Sequence, residues 1–169
     1  MWAILPQTWM GNLVGSVFVA LLYSWGGGSL LPVDTSIVHS VALAKTTAPA
    51  TVLFFKGALC NWLVCLAIWM AIRTEGAAKF LAIWWCLLAF IASGYEHSVA
   101  NMTLFALSWF GHHSEAYTLS GIGHNLLWVT LGNTLSGVVF MGLGYWYATP
   151  KSERPVPAKI NQPEAAANN

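Results

Sequence analysis

Ser93-Gly94-Tyr95-Glu96-His97-Ser98-Val99-Ala100-Asn101-Met102 lies in the middle of an apolar run that extends from about residue 80 to 110. Crossing the hydrocarbon core of a bilayer takes about 20 mostly apolar residues, so this run is too long for one simple span. Its polar centre rules out an ordinary lipid-facing helix as well. Each backbone N–H or C=O left without a partner in hydrocarbon costs several kcal/mol, so a chain break at membrane depth must face protein or a water-lined cavity. Broken membrane helices are also where transporters build substrate sites, because the freed N–H groups of the second half point at an anion. The stretch therefore predicts a span interrupted near residues 94–97, with Gly94 and Glu96 supporting the break.

The rest of the chain agrees with a membrane setting. Of 169 residues, 57% are hydrophobic and 8% charged, and the mean hydropathy is +0.61. A soluble domain carries roughly 25% charged residues; this chain has too few to coat a soluble surface and is too apolar for disorder. Apolar runs at about 9–25, 50–72, 80–110 and 119–147 read as four spans of an all-α membrane protein, with residues 1–149 as one transmembrane channel domain. Pro150 to Asn169 holds four of the seven prolines and no aromatic residue, and reads as a disordered tail. Arg73 and Lys79 flank the turn between the second and third spans, and Lys151, Arg154 and Lys159 follow the fourth. If the spans alternate, these five share one side, and the positive-inside rule makes that side, tail included, cytoplasmic. Trp2, Trp9, Trp25, Trp109 and Trp146 lie near the expected span ends, as an interfacial belt would.

A net charge of +1 supplies no field for nucleic acid. Cys60, Cys65 and Cys86 lie in apolar runs without metal-ligand spacing and read as small core or lipid-facing residues. No nucleophile–base pair, phosphate-binding loop or metal motif is present, so neither an enzyme nor a metal or cofactor site is expected. The chain opens without a basic n-region, already close to its first span, and is not a signal peptide.

Two segments echo each other: Gly11-Asn12-Leu13-Val14-Gly15-Ser16-Val17 and Gly132-Asn133-Thr134-Leu135-Ser136-Gly137-Val138. Either two small-residue helices are alike by chance, or both belong to an inverted repeat, which their opposite expected directions fit. Within the spans, His97 is the ionisable group best placed for function; the other histidines, His39, His112, His113 and His124, fall in or beside outer connections. His97 reads as a pore-lining donor, a buried hydrogen-bonded histidine or a haem ligand, and the last lacks a second histidine at similar depth. Asn101 follows four residues after it, Asn61 sits in the second span and Asn133 in the fourth. One buried asparagine often only glues helices, but three with a histidine in adjacent spans point to a shared polar site. Lys45 reads either as an anion-attracting group of an outer vestibule or as a solvated lysine. Glu96 is expected to be hydrogen-bonded.

Gly57-Ala58-Leu59-Cys60-Asn61-Trp62-Leu63-Val64-Cys65, the Ser93–Met102 stretch and Leu131-Gly132-Asn133 closely resemble the formate/nitrite transporter family, and the likeness to its bacterial nitrite-transporting branch runs from Trp2 to about Pro150. The resemblance implies an aquaporin-like inverted-repeat helical bundle and a homopentamer whose protomers each carry a pore in the bacterial cytoplasmic (inner) membrane. It also implies a substrate pathway at His97, Asn101, Asn61, Asn133 and Lys45 for a small monovalent anion, nitrite or formate. Family members have six spans and this chain matches the third to sixth. The sequence reading is therefore of an N-terminally truncated bundle, with a non-functional remnant of such a transporter as the alternative to a working one.

Overall fold

The computed structural model of the chain describes residues 4–28, 37–111 and 113–150. Six helices account for almost all of them: α1 (Ile4–Trp25), α2 (Ile37–Thr46), α3 (Ala50–Arg73), α4 (Gly76–Ala92), α5 (Ser98–Trp109) and α6 (Leu119–Ala148). No β-strand occurs among the described residues. By length and composition α1, α3 and α6 are each sufficient to cross a bilayer, and α4, with 17 residues, is a shorter apolar helix.

Helix α1 starts at Ile4, earlier than the expected Trp9. Pro6 falls in its first turn, where a missing N–H breaks no helix bond and the fixed φ of proline suits the helix. Trp9 consequently lies inside the helix, and its indole N–H donates to Thr130 Oγ1 of α6 at 3.2 Å; it is a helix–helix contact and not part of an interfacial belt. Helix α2 was not expected at all, since residues 26–49 read as a connection. The proline-rich tail after Pro150 lies outside the described residues, as do Trp2 and His112.

The bundle is held by close helix approach. Helix α3 packs on α4 and α6, α5 packs on α1, and α2 lies against α5 and α6. A Cβ added at Gly132 would run into the Phe54 carbonyl of α3, and one at Gly57 would come within 2.9 Å of the Val129 carbonyl of α6. Glycine at these two points lets the backbones of α3 and α6 touch, which is how helices gain dispersion energy where lipid provides no hydrophobic drive. The echo seen in the sequence is not an echo of packing among the described residues: a Cβ at Gly11 or Gly15 meets nothing within 4 Å. Helices α1 and α6 run in opposite directions, with Leu5 and Trp9 beside Thr130 to Val138 and Leu13 and Val17 beside Leu119 to Leu126.

One irregularity is invisible to hydropathy. Between Ser136 and Leu143 helix α6 widens into a π-helix. Asn61 Nδ2 donates to the Asn133 carbonyl at 2.7 Å just before this segment, supplying an outside partner where the α-helical ladder changes register.

Candidate functional site

The third apolar run is two helices. Helix α4 ends in a left-handed C-terminal cap: Gly94 takes φ +62, Gly94 N–H donates to Ile91 O at 3.0 Å and Tyr95 N–H to Phe90 O at 3.1 Å. This pair of bonds closes the last carbonyls of α4, and only glycine adopts the required φ without strain. The chain then runs extended through His97 (φ −117, ψ 119), which caps the start of α5. The break costs little because its polar groups find partners in other helices. Glu96 N–H points to the Lys56 carbonyl at 3.4 Å, Asn133 Nδ2 donates to the Glu96 carbonyl at 3.0 Å, and Ser98 N–H donates to Asn133 Oδ1 at 3.0 Å.

Around Glu96 the side chains close a ring. Lys45 Nζ, at the end of α2, lies 2.7 Å from Glu96 Oε1. Asn101 Nδ2 donates to Glu96 Oε2 at 2.6 Å and to Asn125 Oδ1 at 2.9 Å, and Asn125 Nδ2 returns to the Lys45 carbonyl at 2.9 Å. Glu96, Asn101 and Asn125 are all buried. The ring ties α2, α5 and α6 to the break, and each of its four members is engaged by the next. A desolvated ion pair is tolerable when its remaining lone pairs and protons are satisfied in this way.

These distances change the reading of several residues. Lys45 is neither solvated nor a free cation; its side chain is 18% exposed and paired with Glu96. Asn125, placed by sequence in an outer connection, lies inside α6 with no exposed surface. His39 is likewise buried, with Nδ1 at 3.0 Å from Ser108 Oγ. Lys56, a cation within the second apolar run that counting charges by side passed over, is half-buried in α3. The shared polar site divides in two: Asn101 joins the Glu96 ring, while Asn61 and Asn133 hold the backbone of α6 and of the break. His97 belongs to neither. Its imidazole is half-buried, makes no hydrogen bond to a described residue, and has the Phe90 ring as its aromatic neighbour at 6.3 Å.

A hollow of about 630 Å³ adjoins the break, lined by Asn61, Ser98, Asn133, Thr130 and Thr134 on its polar side and by Trp9 and Leu5 on its apolar side. Ser98 opens α5, so the positive end of that helix faces the hollow. No cluster of metal-ligating side chains occurs among the described residues. The arrangement can stabilise a small anion by a helix N-terminus and amides, with a titratable imidazole one residue away.

The sequence profile described as formate/nitrite transporter matches residues 1–147. The chain is 97% identical over 169 residues to the nitrite transporter NirC of Salmonella typhimurium, covering 100% of this chain and 63% of that protein. A solved structure described as an FNT family ion channel superposes with a TM-score of 0.87 at 97% identity, covering 89% of this chain and 60% of that one. A pentameric formate channel with formate bound matches with a TM-score of 0.68 at 25% identity, covering 82% of this chain and 62% of that one. The chain thus spans less than two thirds of the length of these relatives.

Proposed function

The chain belongs to the formate/nitrite transporter family, and from that premise we propose that it carries nitrite, as a small monovalent anion, across the bacterial cytoplasmic membrane through a protomer pore that passes His97. The observation that carries the reading is the break itself: an imidazole without a hydrogen-bond partner among the described residues, set between the cap of α4 and the first turn of α5. A dry pore rejects an anion because desolvation is not repaid. A protonated imidazole, or a proton passed from it, repays that cost at the moment of crossing. The N-terminal end of α5 and the free amide oxygen and nitrogen dipoles around the hollow favour the anion on its approach.

In this reading Lys45 acts at a distance. Its charge is balanced by Glu96, so the pair holds the break in shape and leaves His97 as the group whose charge changes. Asn61 and Ser98 face the hollow and guide the anion to the ring. The turn bearing Arg73 and Lys79 and the C-terminal end of α6 are cytoplasmic by the positive-inside rule, and five copies assemble with one pore each. The pentameric formate channel that shares the fold supports that assembly.

Proteoliposomes carrying the protein test the proposal. Nitrite uptake falls when His97 is replaced by phenylalanine, which keeps the ring size and removes both nitrogens. Equal uptake by the native and His97→Phe proteins removes His97 from the pathway.

A further inference from the structure

The side chain of Asn133 is spent entirely on backbone. Its Oδ1 accepts from Ser98 N–H at 3.0 Å, and its Nδ2 donates to the Glu96 carbonyl at 3.0 Å and to the Gly57 carbonyl at 2.8 Å. The Glu96 carbonyl belongs to the peptide group before His97 and the Ser98 N–H to the peptide group after it. Those two planes fix the φ and ψ of His97, which are those of a β-strand residue, φ −117 and ψ 119. A carboxamide has the donor and acceptor of a peptide group, so here it replaces the neighbouring strand that an extended residue in hydrocarbon otherwise lacks. We infer that Asn133 is a positioning residue for His97: one carboxamide grips both peptide groups flanking the histidine and aims its imidazole, without itself serving the anion.

The neighbouring residues are built for this grip. Asn133 is buried to 7% exposure, and its own carbonyl is held by Asn61 Nδ2. A Cβ at Gly57 would stand 3.3 Å from Asn133 Nδ2, tight enough to displace the donor, so the glycine leaves the carbonyl of residue 57 within reach. Gly132 brings this part of α6 against α3. The clamp is therefore set by three sequence-distant positions, Gly57, Gly132 and Asn133, and holds a fourth, His97, that it does not touch through the side chain.

The consequence for transport rests on the reading of His97 given above, whereas the consequence for backbone geometry does not. Two measurements separate them. In bilayers, with histidine labelled with ¹³C, the Cα and Cβ shifts of His97, assigned by their loss in His97→Phe, report an extended residue in the native protein and move toward helical values in Asn133→Leu. In proteoliposomes, Asn133→Leu loses the pH dependence of nitrite flux that His97 confers, and adding Asn133→Leu to His97→Phe changes the pH profile no further. The other titratable groups around the break, Tyr95 and Glu96 beside it, Lys45 on α2, and Lys56 and Cys60 on α3, are common to all variants. Should Asn133→Leu fail to fold, Asn133→Asp carries the same test, because it keeps the acceptor for Ser98 and removes both donors. An unchanged His97 shift overturns the clamp. A fall in flux with an intact pH profile, or an effect that adds to that of His97→Phe, overturns the positioning role and makes Asn133 either a purely structural residue or a contact of the anion. Native-like transport by His97→Phe sinks the reading of His97 while the shift still decides the clamp.

Discussion

At Glu96 a single carboxylate is shared by two partners from different helices, so its removal strands both. In Glu96→Gln the Lys45 ammonium loses the oxygen that lies 2.7 Å from it while remaining largely buried. Breaking one side of a buried pair costs about 3–5 kcal/mol, because the remaining charge is uncompensated. Thermal unfolding in detergent is expected to show a large drop in Tm, and the double variant Lys45→Met with Glu96→Gln should recover part of it. A single variant as stable as the native protein would mean that water reaches the ammonium. Gly94 presents the opposite case, a residue whose side chain matters by being absent. At φ +62, Gly94→Ala places a Cβ in the left-handed region at a cost of about 1–2 kcal/mol, although the space beside it is open. The same unfolding assay reads it; no change would show that the α4 cap relaxes to another conformation. Of these two residues only Gly94 was fully legible in sequence, since a glycine ahead of a polar cluster announces a cap. The Lys45–Glu96 pair was not, because which cation meets a buried carboxylate is decided by packing of α2, and nothing local in residues 37–46 encodes that approach.

Helices are legible in a membrane chain to the extent that the bilayer dictates their length. The apolar runs marked α1, α3, α6 and the α4–α5 pair because hydrocarbon demands about 20 apolar residues per crossing. Helix α2 answers to no such demand: its 10 residues mix Ser40, His39 and Lys45 with apolar positions, and its burial comes from α5 and α6. The π segment of α6 was equally hidden, as one extra residue per turn leaves no mark on composition. It makes a sharp prediction, though. Deleting one residue within Ser136–Leu143 should let the segment relax to an α-helix, turning everything after it by about 100°. In the native protein Trp69 of α3 stacks on Tyr145 of α6 with ring centroids 4.3 Å apart. A cysteine pair at these two positions should therefore form a disulfide readily in the full-length helix and poorly in the deletion, and equal yields would show that the deletion is absorbed elsewhere. The connection between α5 and α6 offers a test by pH. Burial pushes the Tyr117 phenol above its ordinary range, with the Ser108 hydrogen bond acting the other way, and Tyr117 Oη–H donates to the Phe105 carbonyl at 2.9 Å. A raised folded-state pKa gives stability that is complete below the unfolded phenol pKa of about 10 and is lost as pH rises beyond it. Unfolding measured between neutral and strongly alkaline pH should show this loss, and Tyr117→Phe should be less stable at neutral pH and flatter above pH 10 than the native protein. An alkaline limb that survives Tyr117→Phe belongs to another group.

Across the whole molecule the charges are few enough for each to count. Seven lysines and arginines stand in the sequence, and the structure takes Lys45 out of the balance between the two ends by pairing it with Glu96. Lys56 sits within α3 and also says little about either end. What remains is Arg73 and Lys79 at the turn between α3 and α4, with Lys151, Arg154 and Lys159 following α6 in sequence. The orientation argument is stronger for this, because the one cation that sequence assigned to the opposite end no longer counts against it. Arg73 is itself held over the Trp69 ring, 4.3 Å from the guanidinium carbon to the centroid, so its charge is fixed at that end of α3. An excess of basic residues in short loops keeps them on the cytoplasmic side during insertion, and the connection between α5 and α6, with Glu115 and no lysine or arginine, then faces out. Cysteine labelling in intact cells decides the matter in a background with Cys60, Cys65 and Cys86 replaced. With a membrane-impermeant maleimide, Glu115→Cys should react from outside, while Lys79→Cys should react only after the membrane is opened. If Lys79→Cys is labelled in intact cells and Glu115→Cys is not, the bundle is inverted; the anion would then meet the hollow beside Ser98 from the periplasmic side, and the direction of approach proposed for His97 would reverse with it.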